Sequence, residues 1–325
     1  SMKYNLCSLS LSVCMAWGLF TPAHAQPYPS KPIRWVVPSA PGDGSDITAR
    51  LIGDKVGREL GVPIVIENKP GAGGVLGSEA VATAAPDGYT LGMGTTSTFA
   101  INPALVKNLS YDPVRDFAPV TMAASNAYVL AVNSSVPART VAEFIALARA
   151  RPGQLNYSAG TTAATPHLAM ELFKYQSKLD LLRVNYRGTQ PAVNALVAGE
   201  VQVMFTGAGS VQPLVKSGRL RAIAVTTAER SPLTPGLPTV AESGLPGYEF
   251  TSVVGVFAPA KTPAAIVEMM SREITAVLKR PEIVESLFES GTASLGSTPE
   301  EFGSRVRADI ERWRKIIKDT GIKIE

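Results

Sequence analysis

The sequence predicts an α/β protein of two domains, the middle one inserted into the outer one. Three observations lead there. An apolar strand, a small-residue loop and an amphipathic helix recur in that order along the chain, the grammar of α/β domains with largely parallel sheets. Removing a leader of 25 residues leaves 300 of the 325, more than one typical domain holds. The units also group: a middle set near 125–225 is bracketed by outer sets in 26–124 and 226–325. An inserted domain shares more than one connection with its host, which is the geometry of a hinge.

The first residues read as an address. Lys3 supplies a short positive start, Leu6 to Phe20 is an uncharged apolar run, and Ala23-His24-Ala25 fits the small-x-small cleavage rule. Residues 1–25 are therefore expected to be a signal peptide, cut before Gln26, and the mature chain to be exported. The run is too short and wrongly flanked for a membrane span. Lipid attachment at Leu11-Ser12-Val13-Cys14 stands as an alternative, disfavoured by the bulky Val13.

Cys7 and Cys14 both lie in that leader. The mature chain must then hold its fold without disulfides, and thiol catalysis and cysteine-ligated metals are excluded. Without Lys3 the balance is 30 basic to 27 acidic residues, with no Lys/Arg cluster dense enough for a nucleic-acid or membrane partner. No later segment offers about 20 uncharged apolar residues, so a soluble mature protein is expected.

The units follow in order. Ile33–Val37 is a strand, Pro38–Asp46 a loop, and Ile47, Leu51, Val56 and Leu60 mark a helix. Pro63–Glu67 is a strand, and Pro70–Gly74 a turn before a helix from Val75. The Asp87-Gly88 turn precedes a strand over Tyr89–Met93. In the middle set, Tyr128–Val132 is a strand. Thr140 with Glu143 has capping-box spacing. Leu155–Ser158 leads to a loop ending on Thr165 as N-cap and Pro166 at the first helical position. Leu182–Tyr186, Val201–Phe205 and Leu220–Thr226 are further strands, the first two each followed by a loop and a helix. Ser231–Gly247 reads as a long surface connection. Val253–Ala258 is a strand, and three helices end the chain.

Ligands of open α/β sheets bind beyond the carboxyl ends of strands, where helix N-termini offer unpaired N–H groups. Five small, hydroxyl-rich loops fall there: Ala40–Asp46, Gly94–Thr98, Ser158–Thr165, Arg187–Gln190 and Thr206–Ser210. Facing one another they would make a cleft of backbone donors and hydroxyls, suited to a carboxylate. Each loop alone is better explained by helix capping, so the case rests on the set. The residues assigned to the cleft are Pro41, Gly42, Asp43, Gly44, Ser45 and Asp46, then Thr95 and Thr96, then Ser158, Ala159, Gly160, Thr161 and Thr162, together with His167, Arg187 and Gly207.

Each carries a rival reading. Asp46 reads better as an N-cap than as half of an acid pair. His167, the only histidine after the leader, reads better as a locally bonded helix-start residue than as a general base. Arg187 could fork onto a carboxylate or make a surface ion pair. Gly71-Ala72-Gly73-Gly74 fails the dinucleotide pattern at Leu76 and reads as a turn. No P-loop, nucleophile elbow or His-Glu-x-x-His is present. Neither a cofactor nor a metal is expected.

Several stretches together resemble the substrate-binding proteins of tripartite tricarboxylate transporters, the Bug family. They are Tyr28-Pro-Ser-Lys-Pro-Ile-Arg34, Pro38-Ser-Ala-Pro-Gly-Asp-Gly-Ser-Asp46, Glu67-Asn-Lys-Pro-Gly-Ala-Gly-Gly74, Pro86-Asp-Gly-Tyr-Thr-Leu91, Tyr111-Asp-Pro113, His167-Leu168, Tyr186-Arg-Gly188, Leu220-Arg-Ala222, Pro246-Gly-Tyr248 and Arg312-Trp313. The resemblance implies a periplasmic two-domain flytrap of type II, closing on a small carboxylate-bearing solute. Amides, hydroxyls and waters of the first loop and the facing loops would hold it. Di- and tricarboxylates, acidic amino acids and aromatic acids are the implied ligand range. A membrane permease pair is the implied partner, and no oligomer is needed for closure, so a monomer is expected. A sensory module without a permease and a cleft enzyme stand as rivals. Two departures matter. Asp43 interrupts the family's consecutive glycines and is expected to point into solvent; facing the cleft, it would repel a second carboxylate and favour an amine. Gly160-Thr161-Thr162 replaces the usual Gly-x-Gly.

Overall fold

A computed structural model describes residues 27–160 and 164–323. The leader assigned to 1–25, Thr161 and Thr162 lie outside the described residues. The elements run β1 (Ile33–Val37), α1 (Gly44–Leu60), β2 (Ile64–Asn68), α2 (Val75–Ala82), β3 (Thr90–Thr95), α3 (Asn102–Leu105) and β4 (Phe117–Asn133). Then come α4 (Val141–Ala150), β5 (Asn156–Ser158), α5 (Thr165–Ser177), β6 (Leu182–Val184), α6 (Thr189–Ala198), β7 (Val203–Gly207), α7 (Ala208–Lys216) and β8 (Leu220–Val225). The chain ends with β9 (Thr251–Pro259), α8 (Ala264–Leu278), α9 (Pro281–Glu289), β10 (Thr292–Ser294) and α10 (Pro299–Thr320).

The strands form a continuous ladder in the order β2-β1-β3-β9-β4-β7-β5-β6, with β8 and β10 also on β4. The expectation of largely parallel sheets is corrected here. Strands β1, β2 and β3 pair in parallel, as do β5, β6 and β7, but every pairing of β4 and β9 is antiparallel. Sequence alternation predicts the βαβ units, which are the parallel parts; the antiparallel strands arrive by long-range return of the chain.

Strand β4 is the spine. Its first part, to Ala127, pairs with β9, and from Tyr128 onward it pairs with β7 and β8. The expected strand, Tyr128–Val132, is only its second part. Pro119, which cannot donate to a ladder, and a run of small residues hide the first part. Register shifts between Pro119 and Thr121 and between Met122 and Ala124 accommodate it.

Helices start and stop on identifiable chemistry. Thr140 caps α4, its hydroxyl accepting from Glu143 N at 3.1 Å. Thr298 and Glu301 form a full capping box on α10. Gly61, at φ 69°, closes α1 with bonds back to Arg58 and Gly57. One apolar cluster packs α1 and α8 on the first half of the sheet, around Trp35, Ile52, Leu91, Val254 and Met270. A second runs through Phe144, Tyr157, Phe173 and Phe205 and continues to Phe257 and Phe302. Each fully buried side chain of this size contributes about 1.5–3 kcal/mol. Gly255 of β9 is required by that packing: a Cβ there would stand 2.0 Å from Cζ of Phe302.

The segment Ser231–Gly247 is irregular, as read, but it is anchored rather than a bare surface connection. Leu233 and Val240 are buried, and so is the next residue, Tyr248, which stacks on Phe205 and donates its hydroxyl to Ala169 O at 2.8 Å.

Candidate binding cleft

The cleft lies where β4 passes from one set of partners to the other. Its first wall is built by the loop after β1. Asp46 organises that loop. Its carboxylate accepts Gly42 N at 2.8 Å, Arg50 Nε at 3.0 Å and Asn68 Nδ2 at 2.9 Å. Burial alone would raise its pKa, but the bonds from Arg50, Gly42 and Asn68 outweigh burial and hold it below the usual range. Asp46 is the third residue of α1 and is not its N-cap; that position belongs to Asp43. The amides of Gly44 and Ser45 begin α1, have no carbonyl within the helix to bond, and line the cleft. Pro41 and Gly42 are exposed and stand outside the wall.

Asp43 does not point into solvent. It lines the cleft, and its Oδ1 accepts Thr189 Oγ1 at 2.9 Å and Thr189 N at 3.3 Å from the opposite wall. Burial raises its pKa, with the charge of Asp46 adding to the shift and the Thr189 bonds opposing it. The local sequence could not show this, because the partner is 146 residues away.

The second wall holds Ala159, Thr165, Thr189, Gly207 and Ser210. Thr165 is the first residue of α5, after Ala164 as N-cap. Gly160, at φ +67°, lies back-to-back with Gly188; a Cβ on it would meet the Gly188 carbonyl group at 3.3 Å. Ser158 is fully buried behind the wall and donates to Ala192 O at 3.3 Å. His167 is also set back. It is buried, stacks on Tyr157, and has Arg183 Nη1 at 2.8 Å from its Nε2. Burial first, and the Arg183 charge next, lower its pKa to about 4, so the ring is neutral. Its partner is not local to the helix start: Arg183 belongs to β6, sixteen residues on. Arg187 is exposed and outside the wall. Its residue type suggested a fork; the direction of its side chain was not legible.

Thr95 lines the cleft, whereas Thr96 is buried and its hydroxyl accepts Val253 N at 2.9 Å, tying the loop to β9. Gly71, Gly73 and Gly74, read as a turn only, are in the wall as well, and Asn102 Nδ2 holds the Gly73 carbonyl at 3.0 Å.

The floor was missed altogether. It is made by Asn126 and Tyr128 of β4, Ser252 and Val254 of β9, and Thr292 of β10. These are strand residues, and the search by loops passes over them. The buried hydroxyls of Thr206 and Ser252 make no hydrogen bond among the described residues. Ser252 Oγ stands near the Tyr128 hydroxyl but outside bonding geometry; burial raises the Tyr128 pKa, and neighbouring Ser252, Thr165 and Asn126 temper it.

The walls touch at a second place. A Cβ on Gly209, at the start of α7, would fall 2.1 Å from the carbonyl oxygen of Ser290, at the end of α9. The cavity enclosed is about 130 Å³, against about 10–15 Å³ for one enclosed water, so it accepts on the order of ten water-sized groups. The N-termini of α1, α2, α5, α6 and α7 all reach it. Among the described residues, Asp43 is the only charged side chain in the wall, and none is Lys, Arg or His. No group of three or more His, Cys, Asp or Glu suited to a metal occurs among the described residues. Aligned amides and hydroxyls of this kind suit an anionic group.

The model of the tripartite tricarboxylate transporter family receptor matches residues 48–322. The chain belongs to that family. BugT of Bordetella pertussis is 32% identical to this receptor over 95% of each chain. An R. palustris protein solved with adipate is 36% identical, covers 91% of this chain and 99% of its own, and superposes with a TM-score of 0.86. MatC from Rhodopseudomonas palustris, solved with bound malate, is 32% identical over 89% of this chain and 100% of its own, with a TM-score of 0.84. The receptor therefore has the mixed α/β fold of periplasmic binding proteins, and it is a solute-binding protein rather than an enzyme.

Proposed function

We propose that this receptor captures a small carboxylate-bearing solute in the cleft between two lobes and presents its closed form to a tripartite transporter permease. The observation that carries the reading is the wall itself: converging helix N-termini and hydroxyls, with no cationic side chain among the described residues. The relatives solved with adipate and malate support a carboxylate. A di- or tricarboxylate, an acidic amino acid or an aromatic acid falls within this reading. Oxygens of the solute would meet amides at Gly44 to Asp46 on one side and at Ala159, Gly160 and the following threonines on the other.

The lobes we assign are 26–124 with 226–325, and 125–225. The change of pairing partners along β4 between Ala127 and Tyr128 supports the first crossing. Packing of Tyr248 on Phe173 and Phe205 of the middle lobe favours carrying that lobe past 225, with the return crossing close to the start of β9. Export follows from the apolar run Leu6–Phe20 and the Ala23-His24-Ala25 signal.

Solute that binds the folded state alone raises the melting temperature by mass action. The test is a thermal-shift screen of the chain from Gln26 against carboxylates, amino acids and aromatic acids, followed by calorimetry and a check for product. A strong shift with one class of acid and no turnover is expected. Turnover of the bound acid, or no shift with any acid, would overturn the reading.

A further inference from the structure

Helix α6 lacks a cap of its own. Its N-cap is Gly188, at φ 115°, which has no side chain to offer the first amides. The acceptor comes instead from the other wall: the Asp43 carboxylate takes both the amide and the hydroxyl of Thr189. A carboxylate set against a helix N-terminus is the arrangement by which such a cleft holds an acid. Here the protein fills one of those positions with its own.

We infer that Asp43 is a specificity-determining residue that stands in for a second carboxylate of the solute, so that this cleft selects acids with a single carboxylate and a neutral or cationic far end. The inference rests on the carboxylate reading above and narrows it. Three observations support it. The α6 N-terminus is already bonded to an anion. No Lys, Arg or His among the described residues lines the wall to neutralise a second negative group beside Asp43. The rest of the cleft offers uncharged partners: Thr206 and Ser252 are both fully buried, line the cleft and have hydroxyls without a partner among the described residues. Hydroxyls in that state fit a carbonyl, hydroxyl or amine of the solute. Like charges brought together in a closed cleft repel strongly, so a dianion would have to break the Asp43–Thr189 contact or leave the lobes apart.

The test compares acids matched in length: butanoate with butanedioate, and hexanoate with hexanedioate, each titrated calorimetrically into the wild-type chain and into Asp43→Gly. The wild type is expected to prefer the monocarboxylate of a pair by on the order of tenfold or more. Asp43→Gly frees the α6 N-terminus, and the preference is expected to shrink or reverse. Asp43→Asn removes the charge at nearly constant size and is expected to move the ratio the same way, which keeps the test valid should the glycine variant fold poorly. A ratio unchanged in both variants, or a wild type that already prefers the dicarboxylates, overturns the inference while leaving the carboxylate reading intact. A wild type that binds no acid of either kind overturns both.

Discussion

Gly209 and Ser290 approach so closely that a Cβ on the glycine would lie 2.1 Å from the serine carbonyl oxygen. The two residues sit on opposite sides of the cleft, at the head of α7 and the end of α9. Gly291 completes the contact, since a Cβ there would meet Gly209 N at 2.5 Å. Closure therefore depends on glycine at 209. With the walls in contact as here, alanine at that position strikes backbone, which cannot swing aside. Gly209→Ala is expected to weaken solute binding about tenfold or more while changing the ligand-free stability by less than about 1 kcal/mol. Small-angle scattering with saturating solute should show a shape more open than the wild type's. Wild-type affinity in the variant would mean that closure does not pass through this contact.

Asp46 offers a different kind of dependence. Its carboxylate lies beneath the first loop, where it holds Gly42, Arg50 and Asn68 together. Asp46→Ala empties a buried position and removes the acceptor shared by Gly42, Arg50 and Asn68, at a cost of about 1–3 kcal/mol. Because the loop carries the amides of Gly44 and Ser45, affinity is expected to fall along with stability. Asp46→Asn keeps the shape and should restore part of each. A variant that lost stability but bound as tightly as the wild type would show that the amides are positioned by something else.

These residues show how far the sequence reaches. The α/β class and most of the helices and strands followed from apolar runs and small loops, because those signals are local. The wall residues Gly44, Ser45, Thr95 and Gly207 sit in the loops such signals pick out. The floor did not follow. Asn126 and Ser252 are polar residues inside strands, and only the pairing of β4 with β9, opposite each other in register, brings them to one place. The first part of β4 was hidden by Pro119 and by small residues that give no strand signal. Asp43 and Arg187 fail for another reason: residue type states what a side chain can bind, and the fold alone decides which way it points. Asp43 turns inward because Thr189 waits across the cleft, while Arg187 turns outward.

The unpartnered hydroxyls of the floor separate folding from binding. Thr206 Oγ1 and Ser252 Oγ have no acceptor or donor among the described residues, so replacing them removes no hydrogen bond seen there and relieves the cost of burying a polar group. Thr206→Val and Ser252→Ala are each expected to leave ligand-free stability unchanged or slightly higher, and to weaken solute binding by about 1 kcal/mol or more, the worth of one bond to the solute. Denaturant midpoints and calorimetric affinities give the two readouts. Equal affinity in both variants would place the solute away from the floor.

His167 should give the stability of this receptor a pH dependence of definite sign. Its ring is buried against Tyr157 and beside Arg183, and its pKa is lowered to about 4 from an ordinary value near 6.5. Above about pH 6.5 the ring is neutral whether the chain is folded or not, and it makes no contribution to the slope. As the pH falls from there to about 4, the unfolded chain takes up a proton that the folded chain refuses, and stability is lost. Each pKa unit corresponds to about 1.4 kcal/mol, so the full loss is about 3 kcal/mol. Asp43, with a raised pKa, works in the opposite direction over the range where carboxylates titrate, so the comparison must isolate the histidine. Urea unfolding of wild type and His167→Gln at about pH 7 and about pH 4.5 does so. The wild type is expected to lose more stability than the variant between the two. Parallel losses would mean that the ring takes up its proton in the folded protein, with Glu171 accepting the charge at 3.8 Å.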